Sequence, residues 1–219
     1  EEPSGIVINS GSSIDPDWQV INTSVNSTSG GDGPHSFAAS YSSKEVTESL
    51  LVSVVTDAPD DWSHSLSYNG TVINTNDEVE LIVNATDVDF QLVVNPGVTG
   101  AIANYTLRIE SVEFPLDQPA TINYTVISNI TDLVVDHGGV ATQFNSIYVD
   151  GLHAANNNNL GVLPLTSLRD AWDNGFLATV NNIYDNVSWT FPGLMNDEVA
   201  LLSEFLDNGG NLFINGQDV

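Results

Sequence analysis

An acid and an imidazole stand side by side at Asp136-His137, directly after the apolar run Leu133-Val134-Val135. A second polar group, Asn215, Gln217 and Asp218, follows another apolar run, Leu212-Phe213-Ile214. Apolar runs this short, bounded by polar residues and glycine, read as buried strands. In an open α/β sheet the carboxyl ends of such strands form the crevice where ligands bind. An acid, an imidazole and amides at that edge suit a small polar ligand. The same residue types also cap turns, their side-chain oxygens accepting backbone N–H groups. Nucleophilic catalysis finds little support. The chain has no cysteine and no Gly-x-Ser-x-Gly, and its histidines, at 35, 64, 137 and 153, are scattered. Ser188, before Trp189, reads as a strand residue.

Oxygen ligands are plentiful. Asp57, Asp60 and Asp61 share one turn, and Asn76 and Asp77 sit in a compact polar loop. Calcium takes six to eight oxygens from groups of this kind. The loop lacks the sixth-position glycine and the distal glutamate of an EF-hand, and 29 acids in 219 residues cluster by chance. Calcium is therefore a possible cofactor and no cofactor is required. The absence of cysteine and of any His-x-x-x-His argues against a transition-metal site.

Against those 29 acids stand 3 lysines and arginines, for a formal net charge of −26. No basic face can be assembled from Lys44, Arg108 and Arg169, which excludes nucleic acid and electrostatic docking to anionic lipid as partners. A like-charged surface keeps the chain hydrated, most of all in salty water. No apolar run is long enough to insert into a membrane. Asn-x-Ser/Thr occurs at Asn22, Asn26, Asn69, Asn84, Asn104, Asn123, Asn129 and Asn186. These would carry glycans only in an archaeal or eukaryotic secreted protein. The tryptophans invite a sugar-stacking reading, for which Trp62, in an acidic turn, is the best placed; core packing is the alternative for all four.

The elements that must position these residues fall into two groups. Residues 1–128 read as short strands rich in Val, Ile, Thr and aromatics, separated by turn signals. In Tyr105-Thr106-Leu107-Arg108-Ile109-Glu110, Leu107 and Ile109 share one face, and Arg108 and Glu110 the other. Asn69-Gly70 is a two-residue hairpin signal. An immunoglobulin-like antiparallel β-sandwich is expected here. Residues 129–219 alternate strand-like and helix-like stretches: a strand at 132–136, helices at 142–155, 165–174 and 196–208, and strands at 180–189 and 211–215. In the last helix Val199, Leu202, Phe205 and Leu206 form the apolar stripe, with Asp197 and Glu198 as first-turn acids. This β-α-β order predicts a partial parallel α/β unit that continues beyond the given chain.

Two stretches carry a resemblance. The first runs through Asp57-Ala58-Pro59-Asp60-Asp61-Trp62, Val93-Val94-Asn95-Pro96-Gly97 and Asn104-Tyr105-Thr106-Leu107. The second joins Asp132-Leu133-Val134-Val135-Asp136 to Phe205-Leu206-Asp207-Asn208-Gly209-Gly210-Asn211-Leu212-Phe213-Ile214-Asn215-Gly216-Gln217-Asp218. They resemble secreted multidomain proteins of Bacteroidota-type bacteria, often exported by the type IX pathway. There an immunoglobulin-like sandwich precedes a flavodoxin-like segment related to class I glutamine amidotransferases. The resemblance implies that Asn215 stands where amidotransferases carry their cysteine, and an amide cannot do thiolate chemistry. It further implies a non-catalytic extracellular module, structural or accessory, whose first partners are other domains of a longer secreted or surface chain. The rival expectations are a calcium- or glycan-binding adhesin region, a self-associating filament subunit, and part of a secreted hydrolase whose catalytic residues lie elsewhere.

Overall fold

The computed structural model describes residues 7–10, 26–43, 47–73, 79–83, 87–112, 119–138, 142–155, 157–186 and 196–215. Among the described residues the protein is mostly β, with helices only after residue 141, and it includes one wholly parallel sheet. It divides into two compact units: Glu1–Ser27, Gly33–Asn95 and Ala103–Thr125, and Thr28–Asp32, Pro96–Ile102 and Val126–Val219.

Two five-stranded sheets dominate the first part of the chain. One runs β1 (Val7–Ser10), β3 (His35–Ser43), β8 (Asp87–Asn95), β5 (Ser63–Tyr68), β6 (Thr71–Ile73). The other runs β2 (Asn26–Gly30), β10 (Ala120–Ser128), β9 (Ala101–Ser111), β4 (Glu48–Thr56), β7 (Val79–Val83). The sequence alternation translates directly into burial. Leu50, Val52 and Val54 of β4 and Tyr105, Leu107 and Ile109 of β9 are buried, while Arg108 and Glu110 pair at 2.6 Å on the other face. Phe37 of β3 stacks on Tyr124 of β10 at 4.6 Å, and His64 of β5 meets the edge of Tyr105 at 5.6 Å, so rings from the two sheets share one core. Asn69 and Gly70, at φ 44° and 78°, close the β5–β6 hairpin with Tyr68 opposite Thr71. β1 departs from the antiparallel pairing of β3 with β8 and β4 with β9: it runs parallel to β3. Trp62 is 7% exposed and belongs to the core. Its N–H closes the turn onto the Pro59 carbonyl at 3.0 Å, and its buried indole offers no surface for sugar stacking.

The second unit is built on four parallel strands in the order β12 (Leu160–Pro164), β11 (Asp132–Asp136), β13 (Asn182–Asn186), β14 (Asn211–Asn215). Helices α1 (Thr142–Ala154), α2 (Leu165–Asp173) and α3 (Asn196–Asp207) connect them. Strand β12 has no counterpart in the sequence reading, because Leu160–Pro164 runs into α2 without a polar break. On one face Leu133, Val135 and Ile183 pack with Leu168 of α2 and Leu202 and Phe205 of α3. On the other, Tyr148 of α1 meets Tyr184 and Phe213 at about 6 Å. The α3 stripe is corrected by one position. Val199 and Leu206 are exposed, and Glu198, Leu201, Leu202 and Phe205 are the buried set. Gly209, at φ 89°, ends the helix, and the Gly210 N–H returns to the Phe205 carbonyl at 3.0 Å. Among the described residues no helix is long and apolar enough to cross a membrane.

Candidate functional site

Strand order reverses at β11: β12 lies on one side of it, β13 and β14 on the other. Successive crossovers from the centre of a parallel sheet thus leave in opposite directions, and the carboxyl ends of β11 and β13 flank the opening between them. Period-two alternation decides what faces it. His137 continues the Leu133–Val135 face of β11, and Asp185 shares the face of Ile183 in β13. Glu198 lies one turn before Leu201 and Leu202 on the buried stripe of α3. Two neighbouring strands of the sheet and the helix that follows the second therefore deliver one titratable group each to one place.

The groups meet there. His137 Nε2 lies 2.5 Å from Asp185 Oδ1 and 3.2 Å from Glu198 Oε1, with side chains 4%, 0% and 3% exposed. One ligand atom from each falls within 4.8 Å of the other two. Burial alone would lower the His137 pKa, but the hydrogen bonds and charges of Asp185 and Glu198 outweigh it and raise it to about 9. Burial pushes Asp185 up, against the pull of His137, and the Glu198 charge adds to the rise. The raised His137 is the direction the geometry carries, since its Nε2 touches both carboxylates. An acid–imidazole–acid cluster of this kind can hold a proton or ligate a cation.

Of the residues singled out from sequence, only His137 enters the cluster. Asp136 Oδ1 accepts the Gly138 N–H at 2.9 Å, a turn-capping role. Asn215 is exposed at the end of β14, opposite Asn186 in register, and β13 separates it from β11. Gln217, Asp218, Asn76, Asp77, Asn22 and Asn84 lie outside the described residues, and Asn26 and Asn186 are placed as backbone positions in β2 and β13. Asp57 does not join Asp60 and Asp61 in a ligand group: its Oδ1 and Oδ2 accept the backbone and side-chain N–H groups of Asn104, at 2.6 and 2.9 Å. The Asn104 amide is thereby tied into the sheet. Asn129, at φ 56°, donates its Nδ2 to the Gly97 carbonyl. The Asn69 and Asn123 side-chain oxygens accept from the Asp89 N–H and the Thr106 hydroxyl.

A further buried carboxylate, Asp132, lies at the opposite end of β11. Asp132 accepts from Thr131 Oγ1, Asn157 Nδ2, Asn182 Nδ2 and Tyr184 Oη at 2.6–3.1 Å. Its partners fill both oxygens, so it fixes the amino-terminal loops and has no capacity left for a ligand.

No family model and no curated protein sequence matches the chain. Among solved structures it is similar to the N-terminal domain of PorA (13% identity, TM-score 0.33), over 49% of this chain and 87% of that one. It is similar to a family 123 glycoside hydrolase from Clostridium perfringens (8% identity, TM-score 0.32) over 74% of this chain and 33% of that one. A sialyltransferase from Photobacterium damsela matches at 15% identity and TM-score 0.24, over 87% of this chain and 41% of that one. At these scores the likenesses assign the chain neither a family nor an activity.

Proposed function

We propose that the chain is a non-catalytic accessory module of a secreted or surface-attached protein. In this reading the chain carries an immunoglobulin-like β-sandwich and a flavodoxin-like unit, and the latter holds or displays without transforming. The observation that carries it is the closure of the His137–Asp185–Glu198 cluster. Acid–base groups that are 0–4% exposed cannot reach a substrate-sized molecule. Two further features support it. The strand end that would carry a nucleophile bears the exposed carboxamide of Asn215. The two arginines in the described residues are each engaged by an acid, Arg108 by Glu110 and Arg169 by Asp173, so neither is set aside for transition-state charge. The strand order β12-β11-β13-β14 supports the flavodoxin-like assignment. The net charge of −26 supports a well-hydrated extracellular surface.

The test is a panel of ester, amide, peptide and glycoside substrates, assayed with the whole chain and with His137→Ala and Asn215→Ala. The reading expects turnover at the buffer background in all three proteins. Turnover by the unsubstituted chain that either substitution abolishes would overturn it.

A further inference from the structure

We propose that His137, Asp185 and Glu198 form a binding site for one divalent transition-metal ion, of which zinc is the representative probe. The inference stands apart from the non-catalytic reading, since an ion can bind there whether or not chemistry follows.

Three observations carry it. The first is the donor set. One imidazole nitrogen and two carboxylate oxygens converge to within 4.8 Å from three different elements. Ligands bound to zinc at about 2.0–2.2 Å lie roughly 3–3.5 Å apart; the His137 Nε2 to Glu198 Oε1 separation is already 3.2 Å, while the 2.5 Å contact of Nε2 with Asp185 Oδ1 must open as the ion enters. The second is an unmatched oxygen. Asp185 is wholly buried and its Oδ2 has no hydrogen-bond partner, although Oδ1 contacts His137. A buried carboxylate oxygen without a partner is destabilising, and a cation is the ligand that relieves it. The third is charge. Two acids face one imidazole, so with both acids ionised the cluster holds negative charge that His137 cannot neutralise alone; a dication can. The position fits too, since all three groups gather at the carboxyl edge beside the point where strand order reverses.

Ligand chemistry selects the ion class. Imidazole with carboxylates suits zinc, manganese or ferrous iron, whereas calcium requires six to eight oxygens, more than this cluster supplies. Three protein ligands leave a fourth position for water.

Metal-depleted chain is titrated with zinc chloride by calorimetry in moderate salt, alongside Asp185→Asn and Glu198→Gln. The expected result is one zinc per chain at micromolar or tighter affinity, a higher melting temperature, and affinity weakened by at least about tenfold in each variant. Cobalt(II) bound to the unsubstituted chain gives the intense visible absorption of a four- or five-coordinate site, a readout that needs no variant to fold. The proposal is overturned if zinc binds only weakly and at many surface acids. It is equally overturned if both variants bind as the parent does, or if bound cobalt keeps the faint spectrum of the hydrated ion.

Discussion

His137 Nε2 and Asp185 Oδ1 meet at 2.5 Å across 48 residues of chain, joining the carboxyl end of β11 to that of β13. Removing the imidazole leaves two carboxylates facing each other without a counter-charge. His137→Ala is therefore expected to cost about 3–5 kcal/mol in the metal-free protein. Arg169→Ala, which breaks an exposed ion pair with Asp173, is expected to cost less than about 1 kcal/mol. Urea unfolding followed by tryptophan fluorescence measures both. Equal losses would contradict the buried-cluster account.

Asp132 organises the other end of β11 by accepting four hydrogen bonds. Asp132→Ala strands the donors of Asn157 and Asn182, both partly buried, and frees the loop before β12. A loss of about 3 kcal/mol or more is expected from several bonds to one charged acceptor. Amide exchange near 157–159 and 181–182 should quicken in the variant; unchanged exchange there would show that Asp132 is not the tie.

Much of this was legible in the sequence, and the omissions have physical causes. Alternation around Leu107–Glu110 and the Asn69-Gly70 turn appear as read, because period two and positive φ are local properties. The parallel sheet follows from β-α-β order, but β12 was missed because Pro164 joins it directly to α2. The cluster is half legible in the sequence. His137 stands out by its place directly after a strand. Glu198 is hidden in the sequence because Val199 and Leu206 extend the apolar stripe, which turns the helix by one residue and puts Glu198 outside, whereas both are exposed and Glu198 is buried. Asp185 could have been found by its alternation with Ile183. What no spacing reveals is that residues 137, 185 and 198 converge, since strand order is set by long-range packing.

Backbone proximity gives a sharper packing test. A Cβ on Gly100 would run into the carbonyl of Asn129, while the Gly100 N–H already donates to Asn159 Oδ1 at 2.9 Å. The obstacle is main chain and cannot rotate away. Gly100→Ala is expected to lower stability by about 1–3 kcal/mol, whereas Gly33→Ala, where the added methyl meets nothing, should fall within about 0.5 kcal/mol. Thermal melts of both variants decide it, and a neutral Gly100→Ala would refute the close approach.

Burial raises the Tyr124 phenol to about 12 from an ordinary value of 10.0, and its hydroxyl has no hydrogen-bond partner. A folded-state value above the unfolded one means that stability is intact below pH 10 and falls as pH climbs toward 12. The unfolded chain loses the proton first. The shift corresponds to a loss of about 3 kcal/mol. Tyr124→Phe should flatten that part of the stability–pH curve. A curve of unchanged steepness between pH 10 and 12 would show that the phenol ionises freely in the fold.

The most direct examination of the central claim is an anomalous difference map from crystals of the chain grown with zinc, recorded on both sides of the zinc absorption edge. The account predicts one dominant peak at bonding distance from His137 Nε2 and from carboxylate oxygens of Asp185 and Glu198. Peaks confined to surface acids, with the imidazole still in contact with Asp185 Oδ1, would contradict it.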